Sequence, residues 1–137
     1  MASVVQTAIA AQVAQVQALT EVTTCKAGMH QFSQAQLPGV MCQTTGGTVL
    51  RINNGEYHLI YSQEWAIQAA EADTAQEIAE DIMWLWLQPT QRSALTDLYV
   101  VSVILVETDA PIITPISSGL FEVYLKFDFR IAVADPF

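Results

Sequence analysis

The sequence predicts a single domain of the α/β class, α+β in type, with a mostly antiparallel β-sheet flanked by an N-terminal helix and a second helix. Three observations predict it. The chain has 137 residues, enough for one core but not two. Two segments carry apolar residues on a period of 3.6, near residues 4–19 and 74–87. Elsewhere the pattern alternates on a period of two, and Asn54-Gly55 stands between two such segments as a strong hairpin signal. The composition agrees: 52% hydrophobic and 14% charged, against a usual charged share of about 25%, which excludes a disordered chain.

The first helix is expected after Ser3 as cap. Val5, Ala8, Ile9, Val13, Val16 and Leu19 fall on one side. Gln6, Ala10, Ala14, Gln17 and Ala18 fall on the other. That outer face is small and uncharged where a solvated helix normally carries Lys and Glu. It is either a weakly polar exposed face or a surface for close packing against another protein, and Gln6, Ala10, Ala14 and Gln17 are candidate interface residues. Residues 1–20 hold no charged side chain, yet Gln6, Gln12, Gln15 and Gln17 would be costly in hydrocarbon. No membrane span and no secretory signal is expected there.

Residues 21–36 read as a loop with a short strand. Leu37-Pro38-Gly39-Val40 leads into a strand over 40–45, and Gly46-Gly47 reads as a turn. In the hairpin, 48–53 pairs with 56–67. A two-residue loop sets Ile52 against Tyr57, Arg51 against His58, Leu50 against Leu59, Val49 against Ile60 and Thr48 against Tyr61. Asp73 is expected to cap the second helix, with Gln76 in capping-box position. Ala75, Ile78, Ile82, Leu85 and Trp86 form its core stripe, and Glu77, Glu80 and Asp81 the opposite face. Trp84 points to that acidic side with Leu87 near its edge. Either a loop covers this aromatic or a partner does, which makes Trp84 and Leu87 interface candidates.

Residues 98–106 are apolar on both faces and suit a central strand. Residues 107–118, with Pro111 and Pro115, read as a long linker or assembly arm carrying Ile112, Ile113 and Ile116 as further interface candidates. Residues 119–133 alternate, with Phe121 to Val133 at odd positions on one face and Glu122, Tyr124, Lys126, Asp128 and Arg130 on the other. The segment is unusually long for a strand, and a strand that outruns its own domain can pair with a neighbour.

No catalytic constellation emerges. His30 and His58 are the only histidines, and Ser117-Ser118-Gly119 lacks a nucleophile-elbow pattern. Gly46-Gly47-Thr48 lacks the lysine and following helix of a phosphate loop. Glu77, Glu80 and Asp81 share a helix face but read better as a solvated acidic surface than as a metal site. Cys25 and Cys42 fit no CxxC or zinc spacing and are expected as reduced, half-buried thiols of a cytosolic protein, with a disulfide left for geometry to decide. No metal and no cofactor is expected. Five Lys or Arg against fourteen Asp or Glu, a net charge of -9, argues against a phosphate-binding surface.

The order of elements resembles the tail terminator proteins of long-tailed bacteriophages. The residues that carry the resemblance are Leu37-Pro38-Gly39-Val40, the helix over 73–87, and Phe121-Glu122-Val123-Tyr124-Leu125-Lys126-Phe127-Asp128-Phe129. The resemblance implies an α/β domain with a mostly antiparallel sheet. It implies a ring, usually of six copies, that caps the head-proximal end of the tail tube, halts its polymerisation and docks the head-tail connector or neck protein. It further implies no enzymatic activity, partners limited to the chain itself, the tube protein and the connector, and a place in the tail or neck of the virion after assembly in the host cytoplasm. Double-stranded DNA would pass through the lumen without specific binding. No residue role transfers by motif. Two other readings compete: a neck, head-completion or other minor tail protein, and a small ligand-binding or enzymatic domain with a pocket lined by Tyr57, Tyr61 or Trp65.

Overall fold

A computed structural model describes residues 4–28, 32–53, 56–93, 100–108, 112–117 and 119–134. The expected cap Ser3, His30, the Asn54-Gly55 turn and Pro111 lie outside the described residues. The elements are α1 (Val4–Gln17), β1 (Thr24–Ala27), a 3-10 turn (Gln34–Gln36), β2 (Gly39–Asn53), β3 (Glu56–Ala69), α2 (Ala72–Leu87), α3 (Pro89–Ser93), β4 (Val100–Thr108), β5 (Ile112–Ser117) and β6 (Leu120–Ala134). The sheet runs β1-β2-β3-β6-β4, with β5 also on β6. Only the β1–β2 pairing is parallel; β2–β3, β3–β6, β4–β6 and β5–β6 are antiparallel. The fold is the α+β class that the sequence predicts.

Both long helices pack on one face of the sheet. That face collects Tyr61, Trp65 and Ile67 of β3 and Val123, Leu125, Phe127, Phe129 and Ile131 of β6, all buried. Their odd-numbered spacing is the period-two pattern made physical. From α2, Ala75, Ile78, Ala79, Ile82 and Trp86 are buried against it. Trp86 is the keystone: its ring lies 4.8 Å from Trp65, 4.9 Å from Phe127 and 5.8 Å from Phe129, edge-on to the two phenylalanines. Such pairs contribute about 0.5–1.5 kcal/mol each beyond burial.

Several sequence expectations are corrected. The hairpin exists, and Asn53 pairs with Glu56, but an irregularity between Arg51 and Asn53 shifts the register by one. Arg51 then faces Tyr57, and Leu50, not Arg51, faces His58. A second shift between Thr44 and Gly46 brings Cys42 opposite Trp65. Gly46-Gly47 is therefore not a turn. It sits within one 15-residue strand, where a bulge lets a long, twisted pair stay in contact.

β4 is not central. Among the described residues its only strand neighbour is β6, and β3 and β6 hold the middle. The central strands alternate because helices cover only one of their faces, so two-sided apolarity was the wrong marker for position in this sheet. Nor does β6 outrun the domain, because β3 pairs with it from Glu56↔Ala134 to Ala69↔Phe121. The other edge of β6 is shared end to end by β4 and β5. Much of the expected 107–118 linker is therefore strand, and β5 turns into β6 through Gly119 at φ +75°, a conformation glycine adopts without strain. At α2, Glu71 is the cap residue and makes no side-chain cap bond. Asp73 lies in the first turn instead, where its charge favours the helix dipole.

The Leu37-Pro38-Gly39-Val40 entry has a packing reason. A Cβ on Gly39 would stand 2.6–2.8 Å from the ring of Phe32, so the ring sits where only glycine leaves room. No described helix is long and apolar enough to cross a membrane.

Candidate interface surfaces

The outer face of α1 is where the sequence places it. Gln6, Ala10, Ala14, Gln17 and Ala18 are exposed, while Ala8, Gln12 and Val16 are buried. Its glutamines reach inward and sideways to the rest of the fold. Gln63 Nε2 donates to Gln12 Oε1 at 2.6 Å, and Trp65 Nε1 donates to Gln63 Oε1 at 3.2 Å. Trp86 Nε1 donates to Gln15 Oε1 at 2.9 Å, and Gln15 Nε2 donates to the Gln91 carbonyl at 2.9 Å. Gln17 accepts from the Cys25 N–H at 2.9 Å and donates to the Thr23 carbonyl at 3.2 Å. Gln17, an interface candidate, thus has its amide engaged within its own chain; Gln6, Ala10 and Ala14 are the other exposed candidates on this face.

Between α1 and the β1–β2 side of the sheet lies a groove of about 570 Å³. Ile9, Ala10 and Val13 form one wall and Cys42 and Thr44 the other, with Gln6 at the rim; no lining residue is charged. The sequence pattern places Gln6 and Ala10 on the outer face and Ile9 and Val13 on the core side; the groove draws on both sides of the helix and was not anticipated. The opposite wall depends on β1 pairing beside β2, which no local pattern announces.

The second surface is on α2. Trp84 is 58% exposed and Leu87 40%, so none of the described residues folds over the indole. Among the described residues, Ile116 of β5, 49% exposed, and Tyr124 of β6, 47% exposed, are the other large apolar side chains in the open. Ile112 and Ile113 belong to β5, paired opposite Tyr124 and Val123.

Electrostatics single out one carboxyl. The Asp81 pKa is pushed up to about 6, first by a hydrogen bond with Glu21, then by partial burial and by the charges of Glu21, Glu77 and Glu80. Asp81 of α2 thus meets Glu21, in the segment after α1, among like charges. Among the described residues no group of His, Cys, Asp and Glu is arranged to hold a metal ion.

Cys25 and Cys42 are free and buried rather than half-buried. Burial pushes both thiols up to about 12, with Cys42 adding to the effect on Cys25. The register sets Cys25 beside Val40 and Cys42 beside Ala27, so the thiols are diagonal neighbours. Tyr61 and Trp65, offered as pocket walls, are instead core side chains. Burial raises the Tyr61 phenol as well, with Cys42 contributing. His58 accepts a 2.7 Å hydrogen bond at Nδ1 from Arg130 Nε across β3 and β6, a structural partnership.

No family model matches the chain, and a search of curated proteins finds no match. Among solved structures, a similar chain comes from the virion of a native gene transfer agent particle. The two are 16% identical, the match covers 96% of this chain and 92% of that chain, and the TM-score is 0.49.

Proposed function

We propose that this chain is a structural subunit of a virion, and within that class the tail terminator of a long-tailed phage. In this reading copies of the chain form a ring, a hexamer, on the head-proximal end of the tail tube. The ring stops tube growth and offers its far side to the head-tail connector. The role is one of shape and contact, without turnover or cofactor.

One observation carries the reading. A small domain with a complete core still leaves Trp84, Leu87, Ile116 and Tyr124 exposed on three different elements. A ring subunit needs apolar surface on two different patches, because a head-to-tail contact uses one patch to meet the other. The net charge of -9, multiplied around a ring, would oppose stacking outside the intended faces and keep the lumen unattractive to passing DNA.

Solution mass and negative-stain imaging of the purified chain test the reading, together with the length of tubes grown from the cognate tube protein in its presence. Rings of about six copies and shortened tubes are expected. A strict monomer at high concentration that leaves tube length unchanged would sink it.

A further inference from the structure

We propose that neighbouring copies join edge to edge into one sheet: β4 of one copy adds to the free stretch of β2 on the next. This rests on the ring reading above and names the seam between its subunits.

Both edges stand open among the described residues. β1 pairs only with Gly39 to Cys42 of β2, and it is followed by Gly28, whose φ of +89° breaks an extended strand. From Gln43 to Asn53 the outer side of β2 has no strand partner among the described residues. On the far side of the sheet β4 pairs with β6 alone. Val100–Thr108 carries apolar residues on both faces, with no proline, no lysine or arginine, and Glu107 as its single charge. Natural edge strands are commonly blunted by proline or lysine, because a bare edge recruits another strand. A sequence suited to the interior of a sheet thus sits at its rim, and a strand laid against it restores the interior position.

The two edges fit each other in height, direction and hydrogen bonding. Followed through the pairings, Val100 lies level with Val133, Tyr57 and Arg51, and Thr108 with Phe127, Gln63 and Thr44. β4 thus spans the same height as the open stretch of β2. Because β2–β3, β3–β6 and β4–β6 are all antiparallel, β4 runs opposite to β2. A copy carried sideways therefore meets its neighbour as an antiparallel pair, with the helices of both on the same side. That repeat, without inversion of the sheet, is what a ring closed by rotation requires, whereas β4 against β4 needs a two-fold axis and stops at a dimer. The peptide groups agree. The Cys42 carbonyl accepts the Gly28 N–H at 2.7 Å, so it faces away from β3. Peptide groups alternate along a strand and match across each pair, which turns those of Gly47 and Val49 outward on β2 and those of Val103 and Leu105 outward on β4. Val103 lies level with Val49, and Leu105 with Gly47. Each such pair can exchange two N–H···O bonds across the seam. The two edges of this chain complement one another, and that makes a second copy the occupant.

A cysteine pair, Thr48→Cys with Ile104→Cys in one chain, tests the seam. The two positions are level through Arg130 and Ile60. Within one copy they stand three strand spacings apart, about 14 Å, too far for a disulfide, so every link between them joins two copies. Oxidation of the assembled double variant should give a ladder of covalent multimers up to the full ring, and each single variant should give none. In the parent chain, hydrogen exchange at the Val49 and Val103 amides should slow about tenfold or more at concentrations where mass measurements show assembly. Val103→Pro removes an outward N–H and spares the bonds to β6. It should weaken association about tenfold or more, with an unfolding curve of the dilute subunit showing that the variant folds. If rings form while the cysteine pair stays unlinked and the two amides exchange as in dilute solution, the seam is wrong and the ring stands on other surfaces. Linked dimers from Ile104→Cys alone would replace it with a two-fold β4–β4 contact. Protection of both amides only on adding tube protein, with no links between copies, would overturn it in favour of that partner. If the parent stays a single subunit at every concentration, both the seam and the ring reading fall.

Discussion

α1 and α2 cover the same face of one sheet by different physics. α2 is held by shape. Its stripe of Ala75, Ile78, Ala79, Ile82 and Trp86 is buried, and Trp86 meets three aromatic rings at once. α1 is held as much by polarity. Gln12, Gln15 and Gln17 each bind a different part of the fold, respectively β3, the α2–α3 corner and the entry to β1. Dispersion and burial tolerate small shifts, whereas amide hydrogen bonds fix position and angle. A helix positioned by amides can leave its outward side uncharged and small, ready for a second surface, without losing its seat on the sheet.

The largest expected effect tests the α2 half. Trp86→Ala removes the central ring and leaves Gln15 Oε1 without its donor. A loss of about 3–5 kcal/mol is expected, read as a fall in the urea midpoint at constant slope. A loss under about 1 kcal/mol would mean that the aromatic cluster does not anchor α2.

The next effect tests the α1 half through an asymmetry. Gln12 Nε2 is already buried without a partner. Gln12→Leu removes that orphan while orphaning Gln63 Nε2, so one buried donor stays unsatisfied before and after. Gln63→Leu orphans Trp65 Nε1 and the whole Gln12 amide. Each such group costs about 1–3 kcal/mol, so Gln63→Leu should be the more damaging by roughly 2 kcal/mol. Equal losses from the two leucine variants would show that the amide pair does not bear on the seating of α1.

These two helices also show what could be read in the chain itself. The stripe of α2 was legible because its period and its residue types agree. The outer face of α1 was legible for the same reason. Gln12 was not, although its position was informative: it lies four residues from both Ala8 and Val16, inside the buried stripe. Its residue type argued for solvent and its spacing argued for the core, and spacing won because Gln63 supplies a partner. Strand order was illegible for a different reason. Val100–Thr108 looks central by hydropathy, but pairing is decided by non-local hydrogen bonds, and alternation in β6 reports helices on one face rather than an edge. Gly46-Gly47 fits a turn and a bulge equally well as local chemistry, and only the length of β3 opposite it decides. The exposed Trp84 could be anticipated from its acidic surroundings. The groove beside α1 could not, since it joins an N-terminal helix to a strand some thirty residues away.

The smallest expected effect concerns the seam where the chain leaving α1 meets α2. Asp81 holds its proton up to about pH 6 because Glu21 shares a hydrogen bond with it and Glu77 and Glu80 repel its charge; its ordinary value is 3.8. The folded state therefore binds a proton that the unfolded state releases between about pH 4 and pH 6. By linkage, stability from this site is full below about pH 4 and is lost as pH rises through about 6. Asp81→Asn keeps a hydrogen-bonding group for Glu21 and cannot ionise. It should match the parent near pH 4 and exceed it above pH 6.5, by about 0.5–1 kcal/mol once solvent screening is allowed for. Taking the difference between the two proteins at each pH cancels the titration of the other carboxylates. A difference that is flat with pH, or that favours the parent at neutral pH, would mean that the Glu21–Asp81 contact is not a shared proton, and that α2 meets the end of α1 through packing alone.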